Sequence, residues 1–264
     1  MGYIGKKPTD APLTSSDIAD GIISTADLAN TAVTGAKVNT DVISAQTALA
    51  TAPADTDEFL VSDAGVLKRI DYSLIKGGGM FEKLLTTTIS SSTASITFNN
   101  TYLTTAHRDY RVVFTGMKPV TDNSRLTMVI SNDNGSSFLS SSNHIYRVKQ
   151  ISQGNSGFGQ NDSGNNNKFE LTVDGDGNST GEAMSGYIDI FDPLTQNSDN
   201  QYFQWVNNFS YLDADGNHNN VFGTGFFNGA GAGIGANVTF NAIKFAYASG
   251  NILIGSATLY GRKI

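Results

Sequence analysis

The chain has 264 residues, a net charge of −7 and a pI of about 4.8, and its 17 Lys and Arg residues are a poor basis for neutralising phosphates. It contains no cysteine, which excludes a disulfide framework and a thiolate metal site. No apolar run approaches the ~20 residues of a membrane span. We therefore expect neither nucleic-acid binding nor membrane insertion.

The composition changes near residues 77–79, where three glycines follow one another. Of the 26 aromatic residues, only Tyr3, Phe59 and Tyr72 lie before residue 80. The first 79 residues carry too little apolar bulk to fold alone, because ordering the backbone costs about 1–2 kcal/mol per residue. We predict an extended arm over residues 1–79 and a separately folded head over residues 80–264.

A ten-residue repeat occupies residues 15–44 of the arm, and its units read SSDIADGIIS, TADLANTAVT and GAKVNTDVIS. The fourth, eighth and ninth positions are apolar in every unit. A repeat this short needs stacked neighbours or identical chains around an axis to make a core; the alternative is a low-complexity linker. The predicted trimer and anchoring interface comprises Tyr3, Ile4, Ile18, Ile22, Ile23, Leu28, Val33, Val38, Val42 and Ile43.

A β-hairpin is predicted over residues 58–70, because two apolar runs flank Asp63-Ala64-Gly65. This spacing predicts a three-residue loop that contains glycine. Residues 71–75 are expected to add one helical turn, with Asp71 as its cap.

The head has an all-β pattern of short segments rich in Val, Ile, Phe, Tyr and Thr, separated by turn signals such as Asp133-Asn134-Gly135. About ten strands without helical periodicity predict a mainly β fold, an antiparallel jelly roll or β-sandwich.

Two turns of the head, residues 174–178 and 213–217, have the pattern D-x-D-x-N. This spacing suits oxygen ligands of Ca²⁺, but Asp, Asn and Gly are also the residues of ordinary turns, and both interpretations stay open. His107, His144 and His218 have no metal-binding spacing and are interpreted as solvated loop residues. We expect no cofactor, no resident metal and no catalytic residue.

Two segments of the head are candidates for ligand binding. The alternating aromatics Tyr202, Phe203, Trp205, Phe209 and Tyr211 favour either a core strand or a carbohydrate platform. The segment 153–167 is predicted to be the longest loop, and its amide side chains suit sugar hydroxyls. The receptor candidates there are Asn155, Phe158, Gln160 and Asn161; the alternative is a disordered polar tip.

Several short motifs resemble those of phage proteins. YIGK at residues 3–6, APLTSSDI at 11–18 and the repeat units are similar to the N-terminus of tail-fibre and related virion proteins of marine and freshwater bacteriophages. DEFLVSD at 57–63 with LKRI at 67–70 is similar to a hairpin in those proteins. YRVVF at 110–114, LTMVISNDNG at 126–135, ASGNI at 248–252 and GSATLYG at 255–261 resemble a jelly-roll module of phage structural proteins.

The resemblance implies a non-enzymatic homotrimer located in the extracellular phage particle. The leading hypothesis is a tail fibre or receptor-binding protein anchored by its arm. The alternatives are a trimeric capsid cement or decoration protein and a polysaccharide-degrading tail protein. The implied partners are further copies of the chain, a tail adaptor or the major capsid protein, and a glycan of the host cell surface.

Overall fold

The computed structural model describes residues 18–30, 32–75, 80–153, 158–195, 202–229, 232–234 and 238–263. Strands dominate these residues and the helices are single turns, so the predicted mainly β class is confirmed. The chain divides into two compact units, Met1–Lys76 and Gly77–Ile264.

The sequence repeat of the N-terminal unit is also a repeat of backbone hydrogen bonds. Short 3-10 helices, Thr25–Asp27 and Gly35–Lys37, begin the second and third units, and α1 (Asp41–Ser44) ends the third. In all three units the amide of the eighth residue donates to the carbonyl of the fifth, as in Ile22 to Ala19, Ala32 to Ala29 and Val42 to Asn39. The ten-residue period therefore describes a recurring local conformation.

Strands β1 (Glu58–Asp63) and β2 (Val66–Asp71) form the predicted hairpin, and α2 (Tyr72–Ile75) is the predicted helical turn. The predicted three-residue loop is wrong, because Asp63 pairs with Val66 and leaves a two-residue turn. Its residues Ala64 and Gly65 have φ values of 50° and 84°, as a type I′ turn requires. Ala-Gly is not a usual sequence for a type I′ turn, so the turn type could not be predicted from the sequence.

The C-terminal unit contains twelve described strands. They are β3 (Phe81–Ile89), β4 (Ile96–Phe98), β5 (His107–Pro119), β6 (Leu126–Ser131), β7 (His144–Ser152), β8 (Phe158–Asn166), β9 (Phe169–Glu170), β10 (Met184–Phe191), β11 (Tyr202–Leu212), β12 (His218–Asn228), β13 (Ala242–Tyr247) and β14 (Ile252–Lys263).

These strands form a jelly roll with an extension. The small sheet has the order β4-β13-β6-β9, and the large sheet begins β3-β14-β5-β10. Counting only these eight strands along the chain, the two orders are 2-7-4-5 and 1-8-3-6, which is jelly-roll connectivity. The remaining strands are two hairpin insertions, which continue the large sheet as β11-β12-β7-β8. All pairings are antiparallel.

Aromatic side chains from both sheets fill the core. Phe114 of the large sheet lies 5.0 Å from Phe245 of the small sheet, measured between ring centroids. In the extension, Trp205 of β11 lies 5.5 Å from Phe169 of β9. The insertions therefore share the core of the jelly roll, since their inward side chains pack against the small sheet.

The prediction of a long loop at 153–167 is wrong, because residues Phe158–Asn166 are strand β8, paired with β7. The backbone ladder needs no particular side chain, so a segment rich in Asn, Gly and Ser can complete it. Side chains reinforce the pairing: Arg147 lies 2.9 Å from Asp162, and Asn166 donates to the Tyr146 hydroxyl at 3.0 Å.

Candidate functional site

The outward surface of the four extension strands, called the outer face below, carries the candidate site. Alternation along each strand puts one set of side chains into the core, such as Phe203, Trp205 and Phe227, and the other set outside. The outward set is Gln204, Val206 and Asn208 on β11, Phe222, Thr224 and Phe226 on β12, Ile145, Arg147 and Lys149 on β7, and Gln160 and Asp162 on β8.

The strand register arranges these side chains in rows across the sheet. One row runs from Val206 through Thr224 and Arg147 to Asp162. The neighbouring row runs from Asn208 through Phe222 and Lys149 to Gln160. Residues distant in the sequence thereby become direct neighbours on one face.

Two adjoining depressions, together called the groove below, lie on the outer face. One has a volume of about 500 Å³ and is bordered by Ile145, Asp162 and Phe226. The other has a volume of about 390 Å³ and is bordered by Lys149, Val206 and Phe222. Arg147 and Thr224 border both, so the two are continuous. Volumes in this range suit small ligands.

Two glycines of β12 allow the strand to lie close to the core beneath the groove. A Cβ atom on Gly225 would stand 2.7 Å from Trp205 Cζ2, and one on Gly223 would stand 2.9 Å from Val148 Cγ2. These separations are too short for real contacts. The floor of the groove is therefore backbone packed tightly against the core.

The groove combines exposed aromatic rings with one uncompensated positive charge. Phe222 is 44% exposed and Phe226 is 37% exposed. The Arg147 guanidinium is paired with Asp162, whereas Lys149 has no ion pair or hydrogen bond among the described residues. Two rings, a free ammonium group and neighbouring amides can hold a ligand by stacking, charge pairing and hydrogen bonding.

The structure brings the two D-x-D-x-N turns together through a backbone bridge between Asp176 and Asp213. The Asp213 carboxylate accepts from the amides of Asp215 at 3.0 Å and Asn217 at 2.9 Å and from the Asn219 side chain at 2.9 Å. Burial alone would raise the pKa of Asp213, but these hydrogen bonds together hold it below its usual value. Within the described part of the chain, no three His, Asp or Glu residues are grouped to hold a metal ion.

Asp176 is buried and ionises with difficulty. Its Oδ2 accepts from the Tyr247 hydroxyl at 2.8 Å, and its Oδ1 has no partner among the described residues. Burial raises the pKa of Asp176 to about 8, against the lowering effect of the Tyr247 hydrogen bond. The carboxyl group is therefore neutral at pH 7, as a buried acid beside a tyrosine hydroxyl is expected to be.

The interpretation of the histidines as solvated loop residues is wrong for two of the three. His218 is exposed, but His107 and His144 are buried. The His144 ring lies 4.6 Å from Phe169 and 4.8 Å from Phe227, and its Nδ1 donates to two backbone carbonyls. Burial lowers the pKa of His144, so the ring is neutral and serves packing.

The structure separates the residues proposed for ligand binding. On β11, Phe203, Trp205, Phe209 and Tyr211 are buried, which agrees with the core-strand interpretation and opposes the platform. Asn155 lies outside the described residues, as do Tyr3 and Ile4 of the arm, and Phe158 begins β8.

The two remaining receptor candidates point to opposite faces. Gln160 lies on the outer face beside Lys149. Asn161 lies on the inner side and donates to Glu170 at 2.6 Å. The aromatic residues of the groove were missed because β12 was not recognised as a strand, although Val221-Phe222 and Phe226-Phe227 signal one.

Comparisons with protein-family models, with curated proteins and with solved structures find no match to this chain. The fold and the groove define its class: a jelly-roll β-sandwich whose large sheet is extended by two hairpins that carry a surface groove. None of the described helices is long and apolar enough to cross a membrane.

Proposed function

We propose that the chain is a non-enzymatic structural protein of a bacteriophage particle, a homotrimeric fibre or receptor-binding protein. In this proposal the N-terminal unit assembles and anchors the trimer, and the jelly-roll unit binds the host. The sequence resemblance to phage virion proteins supports the particle location. The jelly-roll connectivity is compatible with it, because this architecture is used in viral particles and lectins.

The observation that carries the proposal is the exposure of the repeat. The large apolar residues predicted at the trimer interface are all exposed wherever the structure describes them, from 43% for Ile18 to 81% for Ile43. A run of exposed apolar residues this long is unusual for a monomer and typical of an interaction surface. Identical chains offer the same period of ten residues, so their apolar positions can meet in register.

The groove favours attachment over the two alternatives. A decoration protein needs contacts to the capsid, whereas exposed rings beside a free ammonium group suit a ligand that comes from solution. A glycoside hydrolase needs two carboxyl groups about 5–9.5 Å apart. Among the described residues that border the groove, Asp162 is the sole carboxylate, and it is paired with Arg147.

Sedimentation of the purified full-length chain tests the assembly. We expect a trimer at micromolar concentration, and we expect Ile43→Asp to weaken it, because a charge at an apolar contact must be desolvated. The matched control is Ile254→Asp, an exposed isoleucine of β14 outside the repeat. A wild-type chain that sediments as a stable monomer contradicts the proposal.

Antibody labelling of purified phage particles tests the location. Label at the tail supports the attachment role, and label over the capsid supports the cement alternative instead. Particles that contain the protein by neither labelling nor mass spectrometry refute both virion roles.

A further inference from the structure

We propose that the groove on the outer face binds an acidic saccharide, with sugar rings stacked on Phe222 and Phe226 and a sugar carboxylate paired with Lys149. This inference rests on the proposed attachment function and names the site and the ligand class for it. The site lies on the sheet and not in the predicted loop; Gln160, one of the receptor candidates, lies on this face.

The two phenylalanines provide separate stacking positions. They stand four residues apart on the same side of β12, which corresponds to about 13 Å along a strand. Thr224 lies between them and is small, so the groove stays open from one ring to the other. The apolar C–H face of a pyranose fits a flat aromatic ring, and two such rings suit a short oligosaccharide rather than a single sugar.

Amide side chains surround the rings. Asn208 is the cross-strand neighbour of Phe222, Gln204 is the neighbour of Phe226, and Gln160 is the neighbour of Lys149. All three amides are exposed. Each amide offers both donors and acceptors, which matches sugar hydroxyls.

The charge of the groove selects an anion. Asp162 compensates Arg147, so Lys149 leaves the groove with one net positive charge, although the chain as a whole carries −7. A neutral sugar would leave this charge unpaired, whereas a carboxylate would satisfy it. A second copy of the chain fits less well, because lysine is depleted from the centres of protein interfaces.

Binding of the purified full-length protein to an array of neutral, uronic-acid-bearing and sialylated oligosaccharides tests the inference. We expect binding to acidic members, with affinity reduced about tenfold by Lys149→Gln, as for loss of a hydrogen bond to a charged group. Phe222→Ala should also weaken binding to the same acidic oligosaccharides. The matched controls are Lys83→Gln on β3 and Ile254→Ala on β14, where Ile254 is 43% exposed, and both should bind like the wild type.

Each contrary result identifies what is wrong. Binding to neutral members alone refutes the choice of an anion, and binding that both groove variants retain refutes the site. An array without binding refutes the inference, as does a change in oligomeric state caused by Lys149→Gln or Phe222→Ala. Particle labelling separates these failures from the proposed function, because a labelled particle whose protein binds no acidic sugar leaves the virion role intact.

Discussion

Replacing Asp176 with asparagine should remove a pH dependence of folding stability. The usual pKa of an aspartate is 3.8, and burial raises that of Asp176 to about 8 in the folded chain. Between these values the folded state holds a proton that the unfolded state releases, so the contribution of Asp176 to stability is greatest below pH 4 and falls as pH rises towards 8. At 1.36 kcal/mol per pH unit, keeping this group neutral costs about 4 kcal/mol at pH 7.

Asparagine is neutral at every pH and its carbonyl can still accept from Tyr247. The difference in unfolding free energy between Asp176→Asn and the wild type should therefore change by about 3–4 kcal/mol from pH 5 to pH 8, in favour of the variant. Urea unfolding followed by tryptophan fluorescence measures it, because Trp205 is the sole tryptophan and is buried.

Asp215→Asn is the matched control, since Asp215 is an exposed carboxylate in the neighbouring turn. Comparing each variant with the wild type at the same pH cancels the titration of other groups. A difference between Asp176→Asn and the wild type that stays constant from pH 5 to pH 8 would refute the assignment of a neutral buried acid.

Three further outcomes are expected. His144 has a lowered pKa, so its own contribution to stability is lost as pH falls below about 6.5; the difference in unfolding free energy between His144→Gln and the wild type should therefore shift in favour of the variant from pH 7 to pH 5, and a constant difference would contradict its buried neutral state. Phe169→Ala should cost about 3–5 kcal/mol in urea unfolding because its ring is buried, whereas Phe222→Ala should cost under about 1 kcal/mol; similar losses would contradict the assignment of the two faces. Deleting residues 155–166 should lower the unfolding midpoint because it removes β8 from the ladder, and an unchanged midpoint would support a free loop instead.

The sequence predicted the fold class and the local repeats well because both depend on periodicity. Alternation marks half-buried strands, and the ten-residue period of the arm recurs in its backbone hydrogen bonds. The hairpin over 58–70 was also located, since two apolar runs flank a glycine. Its turn type was not, because Ala64 adopts a positive φ that alanine rarely takes.

The groove could not be predicted from the sequence, because it depends on strand order and register. Phe222, Lys149 and Gln160 are neighbours only after two hairpin insertions pair with each other. Gly223 and Gly225 also weaken the strand pattern of β12 in the sequence, because glycine is unfavourable inside strands. Their role becomes visible once Trp205 and Val148 occupy the space that a side chain would need.

Strand β8 is the last strand of the large sheet and forms one of its edges. An edge strand presents unpaired amides and carbonyls, to which a strand of another chain can pair. The sequence FGQNDSGNN contains one aromatic residue and no β-branched residue, so its side chains add little to the stability of pairing with a further strand. Poor strand-forming residues at this edge lower its tendency to pair with another strand, and β-branched replacements there would raise it.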